Sequence, residues 1–136
     1  MMVRFDGVNF FYPGANAPAL RDLSCTFAAG QVTWLFGKLG AGSSTLLLTS
    51  GGFAPILTGG RRTGSVRVGE LDPGDLANRP ALAGRIGYVS AQPHLQLSGL
   101  AETVFDEVAF APANLGWGRG RIEVAVMHAL ARVGAG

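Results

Sequence analysis

The sequence predicts an α/β fold in which an apolar strand, a glycine-rich turn and a helix stand in series behind two antiparallel strands. Three observations carry this. Val32-Thr33-Trp34-Leu35-Phe36 is a continuous apolar run, as expected of a strand buried on both faces of a parallel sheet. Gly37-Lys38-Leu39-Gly40-Ala41-Gly42-Ser43-Ser44-Thr45 follows at once, and Leu46-Leu47-Leu48 resumes the apolar pattern. Upstream, Val3 to Phe11 and Ala19 to Phe27 mix apolar and polar residues in the manner of half-buried strands.

The elements read as follows in chain order. Val3 to Phe11 is a strand with Val3, Phe5, Val8, Phe10 and Phe11 as its apolar members, and Tyr12-Pro13-Gly14 ends it in a turn. Ala19 to Phe27 is the second strand, closed by Ala29-Gly30, and Val32 to Phe36 the third. Ser43 to about Ser50 is expected to be helical, with Gly51-Gly52 as its stop. Phe53 to Thr63 reads as loop, Gly64 to Gly69 as a short strand through Ser65-Val66-Arg67-Val68, and Asp72-Pro73-Gly74-Asp75 as a turn in which proline presets φ. Arg85 to Ser90 is expected to be a further strand. Helices are expected over Leu100 to Ala111 and Ile122 to Val133, from their apolar spacing.

A chain of 136 residues with 48% hydrophobic and 15% charged residues can bury a core, and is not disordered by composition. Its net charge of +2, with basic residues scattered, argues against nucleic acid as a partner. One cysteine, Cys25, excludes an intrachain disulfide and suggests a reducing compartment; among apolar neighbours it is expected to pack rather than react. The first residues reach Asp6 before any long apolar run, which is not a signal peptide, and no stretch is long enough to span a membrane. His94 and His128 lack ligand-spaced partners. Asp106 and Glu107, adjacent on a helix, point apart and do not form a carboxylate pair.

The residues from Gly37 to Thr45 match the pattern G-x-x-x-x-G-K-[ST] at every fixed position but one, where Ser43 stands in place of lysine. Gly37, Gly40 and Gly42 allow the backbone to wrap closely around phosphate oxygens, and the helix behind them adds its positive end. Ser44 occupies the position of the hydroxyl that ligates Mg²⁺, with Thr45 beside it. A plain strand-to-helix connection is the alternative.

Further motifs narrow the type of phosphate loop. Tyr12, in Phe10-Phe11-Tyr12-Pro13-Gly14, precedes the loop. Gln92, in Gly87-Tyr88-Val89-Ser90-Ala91-Gln92-Pro93, follows it, and then come Gln96-Leu97 and the segment Glu102 to Gly116. Together these resemble the ATP-binding subunits of ABC transporters, and specifically the energy-coupling-factor type that serves vitamin and metal importers. The resemblance covers nearly the whole chain. It implies a P-loop ATPase fold with N-terminal antiparallel strands, incomplete on its C-terminal side. It places a nucleotide-binding core over residues 1–99 and the start of a helical subdomain over 100–136. It implies ATP and Mg²⁺ as ligands, held by Tyr12, Gly37, Lys38, Gly40, Ala41, Gly42, Ser43, Ser44, Thr45 and Gln92. Tyr12 corresponds to the aromatic that stacks on adenine. Gln92 corresponds to the Q-loop glutamine, which with Ser44 faces the metal. A transmembrane subunit and a second ATP-binding subunit, identical or different, are the implied partners, at the cytoplasmic face of the membrane. Phe105, Phe110 and Trp117 are candidates for the contact with the membrane subunit, and equally for core packing.

The chain also departs from that family. Ser43 removes the ammonium that bridges the terminal phosphates, which is expected to weaken nucleotide binding and slow hydrolysis by orders of magnitude. No L-S-G-G-Q signature and no apolar strand ending in Asp-Glu occurs in the 136 residues. Without further strands of the parallel sheet, Val32 to Phe36 is expected to expose an apolar edge. Alone, the chain is expected not to turn over ATP. The leading reading is an ATP-binding subunit, or part of one. A degenerate, non-hydrolytic module paired with an intact ATPase subunit, or a gene remnant, are the alternatives. Lys38 also has two readings. It is a solvated lysine on the rim, or, as in the ParA/MinD-like loops it resembles, a charge that partly replaces the missing lysine.

Overall fold

The computed structural model describes residues 1–135. Two compact units divide the chain, the first over Met1–Gly87 and the second from Tyr88 onward. The first unit contains strands β1 (Val3–Phe11), β2 (Leu20–Phe27) and β3 (Arg61–Val68), with helices α1 (Ser43–Ser50) and α2 (Arg79–Ala83). The strands form one antiparallel sheet in the order β2-β1-β3. The ladder thus uses long-range pairing for β3 and a short connection for β2.

β1 is the central strand, and between Phe5 and Asn9 it carries one residue more than either neighbour; β2 makes up the difference further on, where Val8 pairs with Leu23 and Phe10 with Leu20. Phe5 pairs with Cys25 and Val8 with Leu23, three steps against two, and Asp6 pairs with Ser65 while Asn9 pairs with Thr63. The surplus lies at Gly7, whose φ of +55° suits a bulge. Side chains satisfy the backbone groups that the bulge takes out of the ladder. The Gly7 N–H donates to Ser24 Oγ at 2.9 Å, and Asn9 Nδ2 donates to the Gly7 carbonyl at 3.3 Å. Gly64 lies opposite with φ +79°, and a Cβ there would run into the Gly7 carbonyl. The bulge puts Phe5, Val8 and Phe10 on one buried face, where they join Leu20, Leu46, Ala54 and Val66. The Phe27 ring meets Phe5 edge-on, at 6.2 Å between centroids.

Two expected strands are absent among the described residues. Val32 to Phe36 makes no ladder, and Val32, Trp34 and Phe36 are 88%, 85% and 94% exposed. Thr33 and Leu35 alternate with them and border a groove with Val3, Phe27, Leu46 and Leu47. A strand buried on both faces needs neighbours on both edges, and no described strand pairs with this one. The apolar edge expected from the sequence is therefore present. Arg85 to Ser90 is not a strand either; its Arg85 and Ile86 N–H groups bond to Leu82 at the end of α2. Conversely, β3 starts at Arg61, inside the segment read as loop, because Arg61, Arg62 and Thr63 pair with Phe11, Phe10 and Asn9.

In the second unit, a 3₁₀ turn over Pro93–Gln96 precedes helices α3 (Val104–Asn114) and α4 (Arg119–Arg132). Thr103 caps α3, its Oγ1 accepting from the Asp106 N–H at 3.1 Å and donating to Asp106 Oδ2 at 2.6 Å. Val126 and Leu130 of α4 are buried. Phe105 and Trp117 are half-buried, with the Arg121 guanidinium 3.6 Å from the Trp117 ring centre, whereas Phe110 is exposed. No described helix is long and apolar enough to cross a membrane.

Candidate functional site

Strand, turn and helix are replaced at Gln31 to Thr45 by a segment without strand pairing, a turn and a helix, and the turn itself forms as expected. The Ala41 N–H donates to the Lys38 carbonyl at 3.0 Å, and Gly40 takes φ +82° at the third residue of that turn, where side-chain-bearing residues are strained. Gly42 follows at φ +91° and leads into α1. A Cβ on Gly42 would run into the Ala19 carbonyl, so the loop backbone lies directly against the start of β2. Its carbonyl accepts the Leu46 N–H at 2.9 Å, the first helical bond of α1.

The first N–H groups of α1 have no intrahelical acceptor. No acidic residue lies in its first turn and no side chain caps it, which leaves the positive end of the helix open to an anion. Ser43 and Ser44 are exposed at this end, while Thr45 turns inward and is buried. Thr45 Oγ1 lies 3.1 Å from the Tyr12 hydroxyl, and the Thr45 carbonyl accepts from Thr49 Oγ1 at 2.7 Å. Tyr12 is half-buried and packs its ring edge-on against Phe10, 5.0 Å between centroids. The two hydroxyls side by side are thus told apart: Thr45 is engaged by the tyrosine, and Ser44 is exposed.

A depression of about 480 Å³ results, bordered by Tyr12, Ala19 and most of the turn. Gly37, Lys38, Gly40, Gly42, Ser43, Ser44 and Thr45 all border it with Tyr12, and Ala41 does not. Lys38 is the cationic side chain on its rim. At Ser43, the head of the helix offers a hydroxyl and backbone N–H groups. Chemically, the site can receive phosphate oxygens on amides, with a planar aromatic at one side. The Tyr12–Thr45 link and the border at Ala19 were not readable from the sequence.

Gln92 belongs to the second unit. It is exposed, directly before the 3₁₀ turn, and its N–H donates to Ser90 Oγ at 3.2 Å. Its carboxamide makes no hydrogen bond among the described residues. Around it, Gln96 bonds through both ends of its side chain, accepting from the Ser90 N–H at 2.7 Å and donating to the Tyr88 carbonyl at 3.1 Å.

Comparison with known proteins decides what kind of loop this is. The nickel import ATP-binding protein NikO of Rhodobacter capsulatus is 37% identical over 130 residues, which is 96% of this chain and 50% of that protein. The energy-coupling factor transporter ATP-binding protein EcfA2 of Symbiobacterium thermophilum is 36% identical, across 98% of this chain and 46% of its own length. The corresponding protein EcfA of Methanosarcina acetivorans is 33% identical across 99% and 46%. The chain belongs to the ATP-binding proteins of ABC transporters. No protein-family model matches it. It spans half or less of the length of the curated relatives it matches.

Membership of the ABC ATP-binding proteins gives the fold class its name, an α/β P-loop ATPase of which this chain matches a partial, N-terminal region. In this chain β1 and β2 precede the loop and β3 follows it. The sulfur of this ABC chain is unremarkable in reactivity. Cys25 is half-buried on β2, and burial pushes its thiol pKa up, away from the thiolate.

Proposed function

We propose that this chain is the nucleotide-binding part of an ATP-binding subunit of an ABC importer of the energy-coupling-factor type. It would take ATP with Mg²⁺, phosphates on the amides of Gly37, Gly40, Gly42, Ser43 and Ser44, and adenine against Tyr12; the Ala41 N–H, expected to join them, is held by the Lys38 carbonyl. The observation that carries this reading is the single depression that joins Tyr12 to the loop and the head of α1. Ser44 and Gln92 are the metal-facing groups; both are exposed oxygen donors of the kind Mg²⁺ accepts. Residues 1–99 form the nucleotide-binding core and 100–136 begin the helical subdomain. A transmembrane subunit and a second ATP-binding subunit are the partners, at the cytoplasmic face of the membrane, and coupling of ATP binding and hydrolysis to transport belongs to that assembly.

Ser43 favours a second reading, in which the site binds nucleotide without hydrolysing it and pairs with an intact ATPase subunit. A serine there supplies no cation to the terminal phosphates.

Titration with Mg-ATP by calorimetry tests the reading. Weak, saturable binding is expected. Ser43→Lys should tighten it about tenfold or more, since a charged hydrogen bond is worth roughly 1.5–3 kcal/mol. No binding up to millimolar ATP in either form would overturn it. Lys38→Ala decides between the two readings of that residue: unchanged affinity makes it a rim lysine, and a loss makes it a phosphate partner.

A further inference from the structure

Gln96 and Glu107 stand out in the second unit, because each uses both ends of its side chain on backbone or side-chain groups of the segment that carries Gln92. The Gln96 carboxamide accepts the Ser90 N–H at 2.7 Å and donates to the Tyr88 carbonyl at 3.1 Å. Those two groups flank Val89, and they are the pair that a neighbouring parallel strand would take from it. One side chain thus stands in for a strand, and folds residues 88–96 into a closed loop with Gln92 inside it. The Leu95 N–H bonding to the Gln92 carbonyl at 3.1 Å tightens the same turn. Beyond the loop, half-buried Glu107 on α3 holds Ser98 twice: Oε1 accepts the Ser98 N–H at 2.6 Å, and Oε2 accepts from Ser98 Oγ at 2.7 Å. Ser98 Oγ in turn accepts the Leu100 N–H at 3.2 Å.

We propose that Gln96 is a positioning residue for Gln92, and that Glu107 ties the far end of the same loop to α3. The consequence for metal-nucleotide binding rests on the proposed role of Gln92; the closure of the loop does not. A charged carboxylate on an N–H and a hydroxyl, and a carboxamide satisfied at both ends, are the strongest constraints available to a segment with so little buried surface.

Two measurements on the full chain test this. Amide hydrogen exchange of residues 88–100 reads the loop itself. Gln96→Ala should speed exchange at Ser90 at least threefold, and Glu107→Ala should do the same at Ser98. Glu107→Gln can still accept the Ser98 N–H and donate to Ser98 Oγ but without the charge, so its exchange should fall between the parent and Glu107→Ala. Protection of β1 in the first unit serves as the check that each variant is folded. The second measurement is the factor by which Mg²⁺ tightens ATP binding. Gln96→Ala should reduce that factor towards the value of Gln92→Ala. Parent-like exchange at Ser90 in Gln96→Ala overturns the closure, and faster exchange with the full Mg²⁺ factor retained overturns the positioning. If the parent shows no Mg²⁺-dependent ATP binding, the nucleotide reading fails, and exchange at Ser90 alone then decides the closure.

Discussion

The hydroxyl of Tyr12 lies 3.1 Å from Oγ1 of Thr45, across 33 residues of chain. It is the one side-chain hydrogen bond between the end of β1 and α1 among those described, and it fixes the aromatic beside the loop. Tyr12→Phe keeps the ring on Phe10 and removes the bond, so it should cost about 1 kcal/mol in urea unfolding. Thr45→Val should cost a similar amount. The double variant should cost less than the sum, because both lose the same interaction.

Gly42 combines φ +91° with a backbone that touches the Ala19 carbonyl. Gly42→Ala should therefore destabilise the first unit by about 2 kcal/mol or more, from the left-handed backbone and the overlap together. Gly40 has a positive φ but open space around it. Gly40→Ala should cost less, about 1 kcal/mol. Thermal unfolding of the pair separates conformational strain from crowding.

Arg62 and Asp72 form the most enclosed ion pair, Nη2 meeting Oδ2 at 2.6 Å and Oδ1 at 2.9 Å, with side chains 13% and 27% exposed. Asp72 also accepts the Gly74 N–H, at 2.7 Å, and Arg62 Nη1 is buried with no hydrogen-bond partner among the described residues. Asp72→Ala strands the guanidinium and should cost about 2–3 kcal/mol. Arg62→Met removes the charge and its unpaired nitrogen together, and should cost about 1 kcal/mol or less. Denaturant midpoints of the two variants check the asymmetry.

Trp34 is 85% exposed in a segment that reads as a core strand. Trp34→Ser should change the stability of this chain by no more than about 0.5 kcal/mol, whereas a core tryptophan would cost about 3–5 kcal/mol. The same variant, with Val32→Ser and Phe36→Ser, should lower dye binding to exposed apolar surface and raise the concentration at which the chain self-associates. Urea unfolding and light scattering read the two effects.

That segment marks the limit of what the residues reveal. Local signals were enough for β1, β2 and α1, since alternation and the glycines at 40, 42, 51 and 52 act within a few residues. The loop residues and Tyr12 were legible as site candidates by pattern. Apolarity at Val32 to Phe36 says that a surface wants covering, and carries no information on what covers it. Gly64 lies within β3 rather than at its start, where the Gly7 carbonyl comes too close for a Cβ. Arg85 to Ser90 alternates like a strand, but the ladder bonds beside Val89 are taken by a glutamine side chain, which no periodicity encodes.

The surplus residue at Gly7 has a reach that extends beyond the sheet. Side chains of a strand change sides with every residue, so one added residue inverts everything downstream of it. Phe5 is odd in number and Val8, Phe10 and Tyr12 are even, yet Phe5, Val8 and Phe10 share the buried face and Tyr12 continues in step with Phe10. With an unbroken ladder, Phe5 inside would send Tyr12 to the opposite side, away from Thr45. The handedness of a single glycine, five residues upstream, thus selects the side of the sheet on which the aromatic wall of the depression is built.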